Sequence, residues 1–80
     1  MEASMADSKE VKFSIIEEFG ILSESAKGWK KAVRLVSWND REGKYDLREW
    51  SPDDEKAGKG ITLSREEMVK MKELLNSMDL

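Results

Sequence analysis

The stretch Trp29–Trp50, WKKAVRLVSWNDREGKYDLREW, decides how this chain is read. It has the form of two strands joined by a tight turn, with NDREG (Asn39–Gly43) supplying the turn residues. Side chains alternate between the two faces of a strand, so residue parity separates the faces. The even positions carry Lys30, Arg34 and Trp38 on the first strand, then Lys44, Arg48 and Trp50 on the second. The odd positions carry Val33 and Leu35, then Tyr45 and Leu47. Counted this way, an aliphatic face is expected to turn inward. The cationic and aromatic face is expected to stay exposed. Cations attract phosphates and flat rings stack on unpaired bases, so the exposed face suits single-stranded nucleic acid.

Outward from that hairpin, the rest of the chain supplies further strands and a helix. Val11–Ser23 (VKFSIIEEFGILS) reads as a strand with Phe13, Ile15, Glu17, Phe19 and Ile21 on one side, and Gly20 marks a bulge or bend. SESAKG (Ser23–Gly28) is a connecting loop that places Lys27 beside the basic strand. SPDDEKAG (Ser51–Gly58) is a second loop, started by Ser-Pro-Asp-Asp and ending near Lys56 and Lys59. KGITL (Lys59–Leu63) reads as a short strand. Ser64-Arg65-Glu66-Glu67 is a capping box that opens a helix whose Met68, Met71, Leu74, Leu75 and Met78 form an apolar stripe. That stripe is expected to cover the inner face of the sheet and to contribute to a dimer seam. Residues 1–10 are small and polar and are expected to be disordered, with Met5 a second candidate start; residues 11–80 form one domain.

Composition narrows the function. At 80 residues the chain makes one small domain with a limited core, which points to oligomerisation as the supplement. With no Cys and no His, disulfides, thiolate sites, most transition-metal sites and the common nucleophile–base pairs are unavailable. No cofactor is expected. The run Asp53-Asp54-Glu55 offers the carboxylates that hold Mg²⁺, but adjacent acids in a Pro-containing loop are ordinarily solvated. No apolar run approaches membrane-spanning length, and no signal-peptide pattern opens the chain. A cytoplasmic location is the expectation. The formal net charge is −3, yet Lys27–Arg48 holds seven cations against three anions, a local +4. The positive charge is gathered where the aromatic residues are.

The motifs SWN (Ser37–Asn39), YDLREWSPD (Tyr45–Asp53) and GKGITLS (Gly58–Ser64), followed by an amphipathic helix, resemble the positive cofactor four family of transcriptional coactivators, in particular its bacterial YdbC-like branch. The resemblance runs from about Phe13 to Leu75. It implies an α+β fold of order β-β-β-β-α: a curved four-stranded antiparallel sheet followed by one C-terminal helix, similar to the Whirly-type ssDNA-binding domain. It also implies a homodimer built through the helix and sheet, binding to single-stranded DNA or melted duplex with little sequence preference, a role in transcription or ssDNA handling near the bacterial nucleoid, and no enzymatic activity. RNA is a further candidate ligand. Position by position, the family's basic residue in its DIRE-like motif is Arg48, the aromatic after it is Trp50, the aromatic ending the second strand is Trp38, the Lys before Gly-Ile is Lys59, and the basic loop residue is Lys56. With Lys27, Lys30, Arg34 and Lys44 from the pattern itself, these make the expected nucleic-acid-binding set. The chain lacks the long Ser-rich and Lys-rich N-terminal region of eukaryotic members, so activator recruitment through it is not implied. The competing reading is a protein–protein interaction module that uses the Trp-rich face or a sheet edge.

Overall fold

A computed structural model describes residues 12–80. Four strands, β1 (Phe13–Glu24), β2 (Lys30–Trp38), β3 (Lys44–Trp50) and β4 (Ala57–Leu63), form one antiparallel sheet in the order β1-β2-β3-β4. A single helix, α1 (Arg65–Ser77), follows. This is the expected β-β-β-β-α architecture. β3 has the bounds read from the sequence, and β4 begins two residues earlier than expected, at Ala57. The expected start of the first strand at Val11, and the expected disorder of residues 1–10, lie outside the described residues.

The β2–β3 connection is a tight hairpin. Asn39 and Asp40 both adopt positive φ, 53° and 61°, and the Arg41 amide donates to the Trp38 carbonyl at 3.0 Å. Both central residues at positive φ give the turn whose twist matches paired strands, and Asn and Asp tolerate it best. β4 crosses β3 closely: a β-carbon on Gly60 would overlap Cβ of Arg48, its cross-strand partner, so only glycine fits there. α1 opens with the capping box read from the sequence: the Ser64 hydroxyl accepts from the Glu67 amide and Glu67 accepts from the Ser64 amide.

β1 is the irregular strand. Its pairing with β2 slips three times, between Ile15 and Glu17, Glu18 and Gly20, and Ile21 and Ser23. The residues skipped are Ile16, Phe19 and Leu22. Each slip changes which parity faces which side, so the single-face assignment of Phe13, Ile15, Glu17, Phe19 and Ile21 does not hold. Phe13 packs on Trp38 and Trp50, whereas Phe19 packs against Tyr45 on the opposite face. The bulges coil the sheet. Trp50 pairs with Lys30, eight residues along β2 from Trp38, a separation of about 26 Å on a flat sheet at about 3.3 Å per residue. Their ring centroids nevertheless stand 6.1 Å apart. The sheet therefore curls toward its even-numbered face.

That curl reverses the expected inside and outside. The buried core is Ala32, Val36 and Trp50, with Phe13, Ile15 and Trp38 packed against it. The odd-numbered Val33, Leu35, Tyr45 and Leu47 are only half-buried, and Ile61 is exposed. α1 covers part of that face, its Met68, Met71 and Leu75 bordering a cleft with Tyr45. Among its residues none is fully buried.

Candidate functional site

The concave face gathers the Arg and Trp residues of the hairpin, but it encloses them. Trp50 has 0% of its surface exposed and Arg34 has 2%. Trp38 is half-buried. The rings stack at an interplanar angle of 15°, with Arg34 over Trp50 (5.1 Å) and Arg48 over Trp38 (4.9 Å). Two cations thus bracket a pair of indoles, an arrangement favoured by the negative ring faces. Phe13 closes it, 5.6 Å from Trp38 and 5.1 Å from Trp50. The expectation that both indoles stand open to solvent is corrected: large apolar rings fill the concavity that curling creates. The same enclosure withdraws Trp50 from any exposed protein-docking face.

Charges on this face are neutralised locally. Arg34 donates from Nε and Nη2 to Glu18 at 2.9 and 2.6 Å, and from Nη1 to Asp54 at 3.1 Å. A guanidinium this deeply buried needs such partners. Lys30 adds an ion pair to the same Asp54 oxygen at 3.0 Å. Burial pushes the Asp54 carboxyl upward, but the hydrogen bonds from Lys30 and Arg34 outweigh it and hold the group below its usual range. Arg48 donates from Nε to Asp46 (2.8 Å) and from Nη1 to the Gly58 carbonyl (2.9 Å). Three buried polar atoms, Nε1 of Trp38, Nε1 of Trp50 and Oδ2 of Asp46, have no hydrogen-bond partner among the described residues, and each such group costs about 1–3 kcal/mol. A fold tolerates costs of this kind chiefly at sites with a function beyond stability.

The remaining basic residues stand outside that enclosed cluster. Lys27, Lys44, Lys56 and Lys59 are exposed. Lys59 borders a cleft with Lys31, Leu47 and Ile61 on the odd-numbered side. Lys27 and Lys30 line a cleft at the start of β2, and Lys56 lines one in the β3–β4 loop. Lys44 pairs with Val36 near the hairpin end. The nine candidate residues therefore divide into an enclosed Arg–Trp cluster and a rim of lysines, not one continuous surface.

The Asp53-Asp54-Glu55 run is absorbed by its own loop. Asp53 accepts from the Ser51 hydroxyl (2.7 Å) and the Glu55 amide (3.0 Å), which hold its carboxyl below the usual range. Asp54 is committed to Lys30 and Arg34. Among the described residues no group of three metal-ligating side chains comes together, and no helix is long and apolar enough to cross a membrane.

One residue escaped the parity reading. Trp29 stands at the end of the β1–β2 loop, half-exposed, and lines both the cleft of Lys27 and the cleft of Lys56. Its signal in the sequence is an aromatic with Lys27, Lys30 and Lys31 within two positions.

The match to known proteins falls on this part of the fold. The family model described as Transcriptional Coactivator p15 (PC4) matches residues 25–74, from the loop before β2 through most of α1. The chain belongs to the p15 (PC4) family. An uncharacterized protein of Treponema pallidum (strain Nichols) is 48% identical over 68 residues, 85% of this chain and 80% of that protein. Membership carries the coarse function: a DNA-binding, coactivator-like protein.

Proposed function

We propose that this protein binds single-stranded DNA with little sequence preference, as a homodimer, and serves in transcription or in handling exposed single strands in the bacterial nucleoid. The observation that carries the reading is that the p15 (PC4) match, residues 25–74, spans all nine candidate binding residues, Lys27 to Lys59. The exposed lysines 27, 44, 56 and 59 meet the backbone. Arg48 and the open part of Trp38 form the lip of the concave face, where a base stacks. Arg34 and Trp50 hold that lip from beneath. Duplex binds less well because its bases are already stacked and offer no free ring.

The homodimer has its own support. Phe19, Ile61, Val69, Leu74, Leu75 and Met78 are each 45–54% exposed, more apolar surface than an 80-residue monomer ordinarily leaves in contact with water. Phe19 and Ile61 lie on the face that α1 only partly covers, and a second copy covers the remainder. Two binding faces then engage one strand and raise affinity through effective concentration.

A gel shift with single-stranded oligo-dT and the matching duplex at equal salt tests the reading. Preferential retardation of the single strand is expected. Retardation of neither, or of the duplex alone, contradicts it.

A further inference from the structure

We infer that Trp29 is a nucleobase platform, a second stacking site on a face separate from the Trp38–Trp50 cluster; the inference rests on the ssDNA reading. The backbone there is fixed. The Ser25 amide donates to the Trp29 carbonyl at 2.7 Å and the Gly28 amide donates to the Ser25 carbonyl at 3.0 Å. Gly28 takes a φ of 89°, and a β-carbon on it would sit 3.0 Å from Cγ of Pro52, so the two loops lie against each other. The indole of Trp29 seats its six-membered ring near Gly58, with Cζ3 3.1 Å from where a β-carbon would be. It is thus held firmly from one side while it still lines two open clefts.

The chemistry of those clefts selects the ligand. Lys27, Lys30 and Lys31 border one, and Lys56 borders the other. Lys30 is committed to Asp54, which leaves the ammoniums of Lys27, Lys31 and Lys56 for a phosphate on either side of the ring. Glu24 and Glu49 also line the first cleft and Asp53 the second, so the cationic excess is small. Stacking, not bulk charge, supplies most of the contact. A rigid indole between two lysine-bordered grooves fits one unpaired base with its flanking phosphates. A duplex presents no such base.

The test uses the whole chain labelled with 5-fluorotryptophan, whose Trp29 fluorine resonance is assigned with Trp29→Phe. On titration with oligo-dT, the Trp29 resonance shifts, Trp29→Ala binds about 5- to 100-fold more weakly, and Trp29→Phe keeps most of the affinity. If oligo-dT binds but the Trp29 resonance stays in place and Trp29→Ala binds as well as the parent, the platform is excluded while the ssDNA reading stands. If the parent protein binds no oligo-dT, both fall together. Should Trp29→Ala fail to fold, the fluorine shift of the parent decides.

Discussion

The guanidinium carbon of Arg34 lies 5.1 Å from the ring centroid of Trp50, and both side chains are shut away from solvent. Arg34 keeps its charge there because Glu18 and Asp54 reach it from β1 and from the β3–β4 loop. A cation and an aromatic that read as an exposed binding pair are, in the folded chain, part of its interior.

Trp50→Ala is therefore a stability variant before it is a binding variant. Removing a fully buried indole from the core cluster is expected to cost about 3–5 kcal/mol, read as a lowered urea midpoint. An indole on the open surface would cost less than about 0.5 kcal/mol. The two magnitudes are far enough apart for one denaturation curve to decide.

Asp54→Asn isolates the charge of the loop clasp. Asp54 sits at a φ of 64°, which Asn tolerates, so the backbone is kept. The loss is expected to be about 1 kcal/mol, kept small by the solvent that reaches a side chain 37% exposed. Its pH dependence has a definite sign. The folded carboxyl is held below its unfolded value of about 3.9, so its contribution is fully present above about pH 4 and is lost as pH falls through the lower folded value. The parent should lose this increment on acidification below about pH 4, and Asp54→Asn should not.

How far these features can be read from the chain differs from element to element. The strands, the hairpin and the capping box were legible because each is written in adjacent residues. The faces were not. Parity counting assumes an unbroken two-residue period, and the slips at Ile16, Phe19 and Leu22 break it on β1. Nor does a local pattern reveal that Arg34 finds its carboxylates 16 residues before and 20 residues after it. Without those partners an Arg on a strand reads as solvent-facing. Trp29 was missed for a different reason: it reads as the first residue of the second strand, whereas β2 begins at Lys30 and Trp29 belongs to the loop before it, where alternation says nothing about direction.

Ile61→Glu combined with Leu74→Glu tests the dimer. Both side chains are about half exposed, so charge there costs the folded monomer little. The parent is expected to elute, by light scattering, at twice its 9.2 kDa chain mass, and the double variant at the single mass with its secondary structure intact. A parent that is monomeric at micromolar concentration argues against the second copy as the partner of this face.

The most direct measurement is fluorescence anisotropy of labelled oligo-dT with the parent protein across a salt series, run beside the same sequence as duplex. Single strands release about 0.7 counterion per phosphate contacted. Engagement of the four exposed lysines 27, 44, 56 and 59 sets a slope of log K against log salt near −3 per subunit, with the single strand bound more tightly than duplex at every salt concentration. A flat salt response, or equal affinity for duplex, contradicts single-strand binding by this sheet and its lysine rim.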